Sequence, residues 1–134
     1  MSRILALDFG EARCGVAVSD PSGTLATPLA AVQRPATRKG LGRIEALVRN
    51  QAAERVVVGL PLSLSGEIGP QAERTREWAA RLAEVVDVPV DLHDERLTTR
   101  QAERAGGAAD ADSRAAAHLL EAYLAATATG GRSG

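Results

Sequence analysis

The sequence predicts a single α/β domain, in which a mixed five-stranded sheet carries helices on both faces. Three observations predict it. The predicted elements run β-β-β-α-β-α-β-α-α, which is a strand meander followed by βαβ crossovers. In the run RVVVGL, at 55–60, every residue after Arg55 is apolar, as is typical of a strand buried on both faces and paired in parallel. The chain has 134 residues, 45% of them hydrophobic, which suits one domain with one substantial core. We expect this domain to span 1–128, with a disordered tail at 129–134.

The first third of the chain predicts an antiparallel meander. Turn-forming residues at Gly10 and at Pro21–Gly23 separate three apolar stretches. Pro28 cannot donate to a strand ladder, which predicts that the third strand either lies at the edge of the sheet or contains a break. The predicted strands are 3–9, 14–19 and 24–32.

The rest of the chain alternates helices with strands. A helix is predicted over 37–52, because Leu41, Ile44 and Val48 recur at helical spacing. A second is predicted over 71–86, followed by a strand over 89–94. Thr98 begins a capping-box pattern for a short helix ending at Gly106-Gly107, and a last helix is predicted from Asp112 to about Thr127. The inner face predicted for the second helix comprises Ala72, Thr75, Trp78, Ala79, Leu82 and Val85.

Composition narrows the functional classes. The net charge of −1 excludes a uniformly basic nucleic-acid binder, so any such contact must use a local patch. The outward face of the first helix carries several basic residues, for which a solvated surface is the default interpretation and a phosphate-facing patch the alternative. The single Cys14 suits a reducing cytosol, and no membrane-spanning run or secretory signal is apparent. We therefore expect a cytoplasmic protein with no membrane partner.

Acidic residues stand at the predicted strand ends and helix starts. Asp8 interrupts the apolar pattern near the end of the first strand, and Asp94 and Glu95 end the fifth. Asp112 shares a helix face with apolar residues, so it is predicted to point toward the sheet. Carboxylates that converge repel one another unless cations neutralise them, and oxygen-only ligands select Mg²⁺ or Mn²⁺. We expect the metal-holding carboxylates to lie roughly 4–8 Å apart, as a two-metal site requires.

Other side chains in these segments have more than one interpretation. Arg13 and Arg96 are suited to holding phosphates. Each acidic element alone also has an ordinary structural interpretation: Asp8 as a turn residue, the Asp94–Arg96 segment as a surface ion-pair cluster, and Asp112 as an N-cap. The two histidines lack metal-ligand spacing, and His93 remains open between a plain strand residue and a substrate contact.

Four segments together resemble the YqgF family, also called RuvX, of bacterial Holliday junction resolvases or pre-16S rRNA nucleases. They are LDFGEARCGVAVSD, VVVGLPLSLSGEIGPQAE, LHDERLTTRQAE and ADSRAAAHLLEAYL, and they follow in order over nearly the whole chain. The resemblance implies an RNase H-like fold and a metal-dependent cytoplasmic nuclease acting in 5′-end maturation of small-subunit ribosomal RNA. It places the catalytic, metal-holding site on Asp8, Glu95 and Asp112, with Arg13 and Arg96 as supporting substrate-binding residues.

The sequence departs from the family pattern before Asp112, where only ERAGGAADA replaces a longer loop with basic residues. We therefore predict a nuclease, monomeric or homodimeric, that prefers single-stranded RNA or DNA to a four-way junction. Junction resolution is the first alternative. A non-catalytic module binding a ribosome precursor, and half of an actin-like or sugar-kinase ATPase with DFG and Asp20 as its phosphate loop, are the others.

Overall fold

Five strands and three helices make up the regular structure of the described residues, which in this computed structural model are 3–63, 65–95 and 111–130. The α/β class predicted from the sequence is confirmed. The elements are β1 (Arg3–Asp8), β2 (Arg13–Ser19), β3 (Ala26–Gln33), α1 (Arg38–Asn50), β4 (Ala53–Leu60), α2 (Pro70–Ala83), β5 (Val90–Asp94) and α3 (Ala111–Gly130).

The strands lie in the order β3-β2-β1-β4-β5. The β1–β2 and β2–β3 pairs are antiparallel, whereas β1–β4 and β4–β5 are parallel. The meander and the crossover pairing are therefore as predicted, and Pro28 does lie in an edge strand. Because β1, β4 and β5 run in one direction, their carboxyl ends meet at the same end of the sheet, which we call the site end.

Each face of the sheet carries its own apolar cluster. The larger cluster packs α1 and α2 on alternate residues of the strands, including Leu5, Leu7, Val56 and Val58. The smaller one packs α3 on the intervening residues, among them Ala6, Ala17 and Val57. Strand β4 thus buries both of its faces, which explains its uninterrupted valines. We call the two sides the α1/α2 face and the α3 face.

The turn between β2 and β3 is longer than predicted, so β3 begins at Ala26 rather than at Thr24. The carboxylate of Asp20 accepts hydrogen bonds from the amides of Thr24 and Leu25, each at 2.9 Å, and from the Ser22 hydroxyl. Gly23 takes the positive φ of +77° that this turn requires. The bonded amides are thereby withheld from the strand ladder.

Helices α1 and α2 both end earlier than predicted. Helix α1 is capped by Gln51, and Ala52 takes a left-handed φ of +54°, which turns the chain directly into β4. Helix α2 ends at Ala83, and the following turn breaks the helical phase. Val85 is consequently 40% exposed and Val86 is buried in its place, so the prediction of Val85 on the inner face is wrong. The other five predicted inner residues are buried.

Helix α3 runs to Gly130, beyond the predicted end at Thr127. The predicted short helix after Thr98 and residues 131–134 of the predicted tail lie outside the described residues. Of the helices that the structure describes, none combines the length and apolarity that a bilayer crossing requires.

Three residues whose types occur only once in the sequence, Trp78, Phe9 and Cys14, lie beneath the site end. Trp78 of α2 stacks on Phe9, with ring centroids 4.5 Å apart, and its indole donates to the Pro35 carbonyl at 3.0 Å. Phe9 directly follows Asp8 in the chain. Cys14, the one cysteine of the sequence, is fully buried in β2.

Candidate nuclease site

Asp8 is the last residue of β1 and is half-buried at the site end. It pairs with Gly15 of β2, and the parallel register of Leu7 with Val58 places Gly59 of β4 on its other side. Since side chains alternate along a strand and Ala6 faces α3, Asp8 also faces α3. A glycine on each flank leaves room around this carboxylate.

Glu95 directly follows β5, and its side chain reaches back over Gly59. A Cβ atom at position 59 would lie 2.5 Å from the Glu95 Oε2 and 2.8 Å from its Cγ. Val57 faces α3, so the missing side chain of Gly59 would also face α3. The carboxylates of Asp8 and Glu95 therefore share one face, on strand positions about 5 Å apart.

The sequence analysis assigned Glu95 to the site but missed what Gly59 does there. A glycine at the end of a run of buried valines is the signal, because glycine in a strand marks the close approach of another group.

The first turn of α3 is fixed beside these two residues. The register between β2 and β3 shifts between Cys14 and Val16, and the Val16 amide donates to the hydroxyl of Ser113 at 3.3 Å. Ser113 is fully buried. Val16 adjoins Gly15, the pairing partner of Asp8, so the start of α3 lies over β2 next to Asp8.

Asp112 belongs to this first turn by its backbone, whereas its side chain lies outside the described part of the structure. The predicted convergence of three carboxylates thus stays a prediction for Asp112. Within the described residues, no three histidine, cysteine, aspartate or glutamate side chains form a metal-holding group.

His93 extends the same row across the sheet, because it pairs with Gly59 and faces α3. Its ring meets Tyr123 of α3 edge-on, with centroids 5.6 Å apart. Burial lowers the pKa of this imidazole, and nearby Asp94 opposes that shift only in part. The Nε2 atom is buried and has no hydrogen-bond partner among the described residues. His93 thus lies in β5 on the α3 face, a placement that is compatible with both of its open interpretations.

A polar network ties α3 to the outer strand β5. The Tyr123 hydroxyl donates to Asp91 at 2.9 Å, and Arg55 donates to the same carboxylate oxygen at 2.6 Å. Burial, followed by the hydrogen bond to Asp91, raises the pKa of Tyr123, and the bond to Asp91 raises that of Arg55. The phenol is therefore neutral at physiological pH and acts as a donor that holds the helix.

Of the two arginines predicted to hold phosphate, Arg13 lies within the described residues and Arg96 does not. Arg13 is exposed at the start of β2 and pairs with Gln33, so it lies at the site end one strand from Asp8. A Cβ atom at Gly10 would lie 2.8 Å from the Arg13 carbonyl oxygen, which explains the glycine in this tight turn. Arg96 lies outside the described residues.

Asp20 does not join the site. Its hydrogen bonds from the Leu25 amide and the Ser22 hydroxyl hold its pKa well below the usual range, and they occupy it in the β2–β3 turn. That turn lies at the opposite end of the sheet from Asp8. DFG and Asp20 therefore do not form one phosphate loop.

The donor set of Asp8 and Glu95 fits a hard divalent cation. Both offer carboxylate oxygens, the ligands that Mg²⁺ and Mn²⁺ prefer, and glycine neighbours leave space beside them. The Asp112 backbone position is compatible with a third such ligand.

Sequence comparison decides the family. The model of RuvX, described as a Holliday junction resolvase, matches residues 2–126. The chain belongs to the RuvX family. A relative from Syntrophomonas wolfei, named "Putative pre-16S rRNA nuclease", is 41% identical over 131 residues, covering 91% of this chain and 93% of its own. A relative of the same name from Chloroflexus aurantiacus is 41% identical over 130 residues, covering 90% and 85%.

Solved structures agree with the RuvX assignment at the level of the fold. RuvC of T. thermophilus in complex with a Holliday junction substrate matches with a TM-score of 0.65 at 16% identity, covering 96% of each chain. A second Thermus thermophilus RuvC structure matches with a TM-score of 0.55 at 20% identity, covering 95% of this chain and 97% of that one. The RNase H-like fold expected of a RuvX protein is thereby confirmed.

Proposed function

We propose that this RuvX protein is a metal-dependent nuclease that hydrolyses nucleic-acid phosphodiester bonds in the cytoplasm, in 5′-end maturation of pre-16S ribosomal RNA. The observation that carries the proposal is the placement of the Glu95 side chain over Gly59, beside Asp8. The names of the curated relatives support the ribosomal substrate.

Each site residue has a specific role in this proposal. Asp8 and Glu95 would hold Mg²⁺ or Mn²⁺ from two strand ends, and Asp112 would complete the set from the start of α3. Such ions, when bound, would stabilise the negative charge that develops during phosphodiester hydrolysis. Arg13 and Arg96 orient the phosphate, because a guanidinium offers two parallel donors to its oxygens.

The test is a cleavage assay of the wild-type chain and the Asp8→Asn variant on single-stranded RNA, with Mn²⁺ and with EDTA. Asparagine keeps the shape of aspartate but lacks its charge, so we expect cleavage to fall by at least about 100-fold while the protein stays folded. Asp87→Asn, an exposed change at the opposite end of the sheet, is the matched control and should cleave normally.

Full activity of the Asp8→Asn variant would contradict the site assignment. No metal-stimulated cleavage by the wild-type chain would instead favour the non-catalytic ribosome-precursor module.

The second candidate function is Holliday junction resolution, which the description of the family model favours. Junction cleavage requires two symmetric cuts, and hence a two-fold dimer that presents a broad basic surface. A four-way DNA junction belongs in the same assay, at matched salt, to separate the two candidates.

A further inference from the structure

Three cations stand together at the site end, on the side of the sheet away from Glu95. Arg34 directly follows β3, and Arg38 and Lys39 open α1. All three are exposed, and none has an ion-pair partner among the residues that the structure describes. We call Arg34, Arg38 and Lys39 the basic strip.

The strip lies at the same end of the sheet as the catalytic strand ends, by the β3 edge; its helix α1 packs on the α1/α2 face, whereas Asp8 and Glu95 face α3. Strand β3 ends where β2 begins, since Gln33 pairs with Arg13, and the Arg34 amide donates to the Ala12 carbonyl at 2.9 Å. Arg34 therefore lies two strand spacings from Asp8, about 10 Å along the site end. A polymer with its scissile bond at Asp8 would therefore have to cross the ends of β2 and β3 to reach the strip, a path of a few nucleotides.

The segment that carries the strip is held rigidly. The Thr37 hydroxyl donates to the Arg34 carbonyl at 2.7 Å, the Trp78 indole bonds the Pro35 carbonyl, and Arg81 bonds the Ala36 carbonyl at 3.0 Å. Arg34 itself takes a left-handed φ of +47°, unusual for a residue with a side chain. Rigid placement lowers the entropic cost of each contact that these cations make.

An open groove of about 450 Å³ lies against the strip, lined by Glu11, Ala12, Arg34, Ala36 and Thr37. Glu11 is the acidic member of this lining, and Arg74 pairs with it at 3.1 Å. The negative charge of Glu11 is thus largely offset by Arg74, and the basic strip dominates the electrostatic potential in the groove.

The charges of the strip are also opposite in sign to those that usually occur at the amino end of a helix. The first turn of α1 holds no acidic residue and two cations, although the amino end of a helix favours negative charge. Helix α2, by contrast, has Glu73 in its first turn. Such a departure is typical of functional positions, and a bound phosphate would relieve the unfavourable charge.

We propose that the basic strip is a phosphate-binding track for single-stranded nucleic acid, which holds the substrate a few nucleotides from the bond cut at Asp8. This proposal rests on the proposed nuclease function for its substrate, but binding can be measured without cleavage. Lysine and arginine side chains that track a backbone are how sequence-tolerant single-strand sites work.

The experiment measures binding of a fluorescent single-stranded RNA in EDTA, over a series of salt concentrations. The variant Arg34→Ala/Arg38→Ala/Lys39→Ala should weaken binding about tenfold or more near physiological salt. The slope of log K against log salt should fall in magnitude by about 2, since each phosphate contact on a single strand contributes about 0.7.

A matched control removes the same charge elsewhere. Arg43→Ala/Arg49→Ala/Arg76→Ala changes three exposed arginines on α1 and α2 and should keep the wild-type slope. Glu11→Gln, which removes the acid from the groove, should tighten binding. The single variant Arg38→Glu should weaken binding while the Tm stays level or rises, because acid is favoured at this helix end.

Equal losses in the two triple variants, or wild-type binding by the strip variant, would overturn the track. A folded strip variant with weakened binding supports it even if the wild-type chain fails to cleave RNA, an outcome that would refute only the nuclease function. In the cleavage assay with Mn²⁺, the strip variant should raise KM and leave kcat largely unchanged.

Discussion

Gly59 is the residue on which the candidate site depends most directly, although it carries no chemistry of its own. Its missing side chain is the space in which Glu95 lies. A strand end without a carboxylate thereby receives one from the neighbouring strand. The same position explains why a buried valine run closes with the smallest residue.

We predict that Gly59→Ala lowers kcat by about tenfold or more with little loss of stability. The added Cβ would displace the end of a flexible side chain rather than backbone, so Glu95 moves and the fold does not. Thermal unfolding and steady-state cleavage, measured together, test this. Gly42→Ala, at an exposed helical position with open space around the Cβ site, is the control, and should be neutral or slightly stabilising. A Gly59→Ala protein with wild-type kcat would contradict the placement.

A second residue-scale prediction concerns His93. Its buried Nε2 has no partner among the described residues, and an unpaired buried polar atom costs about 1–3 kcal/mol. We expect His93→Phe to raise the free energy of unfolding by about 1 kcal/mol, since phenylalanine fills similar space against Tyr123 and brings no polar atom. Denaturant unfolding measures it. A loss of stability would mean that the imidazole nitrogen is satisfied in solution.

At the scale of elements, much of the fold follows from sequence pattern. Pro28 identified an edge strand, and the valines of β4 identified a central one. The hydrophobic pattern of the sequence does not predict the places where a single side chain or one backbone angle changes the direction of the chain. The Asp20 carboxylate takes the amides of Thr24 and Leu25 from β3, and the left-handed Ala52 ends α1 two residues early.

The candidate site likewise combines features that the sequence predicts with features that it does not. Strand ends and helix starts predicted which acidic residues to consider, because the carboxyl ends of parallel strands meet. The glycine at the end of the valine run signals that some group approaches there, but the exact position of the Glu95 side chain over Gly59 depends on the path of the chain after β5. The bond from Val16 to Ser113 likewise depends on a local register shift that no periodicity encodes.

Helix α3 is the element whose anchoring we predict to matter for activity. Ser113→Ala leaves the buried Val16 amide without its acceptor, which should cost about 1–3 kcal/mol of unfolding free energy. It should also lower kcat, because the first turn of α3 carries Asp112. Thr127→Ala removes an exposed hydroxyl from the same helix and should change stability by less than about 0.5 kcal/mol. Equal effects of the two variants would refute the anchoring.

For the whole molecule, charge favours a single strand as substrate. The net charge is −1, and within the described part of the chain the cations at the site end include Arg13 and the basic strip, so that positive charge is local rather than spread over the molecule. We predict faster cleavage of single-stranded RNA or DNA than of an intact four-way junction at near-physiological salt. Low salt must be avoided because it exaggerates any basic patch.

This prediction would fail if the protein forms a dimer, because the basic residues of two chains side by side would make a wider basic surface. Sedimentation of the free protein, and of the protein mixed with the four-way junction, should be measured alongside the cleavage assay to detect such a dimer. Symmetric junction cutting that outpaces single-strand cutting would reject the preference and support junction resolution.

The stacking of Trp78 on Phe9 gives the molecule its own optical reporter. Trp78 is the one tryptophan in the chain, and its ring lies against the residue that immediately follows Asp8. We expect a cation bound at Asp8 to alter the local electric field and the small motions of Phe9, both of which would change the quantum yield and emission wavelength of the stacked indole. Intrinsic fluorescence of the unlabelled protein should then report occupancy of the site, against a background from a single tyrosine.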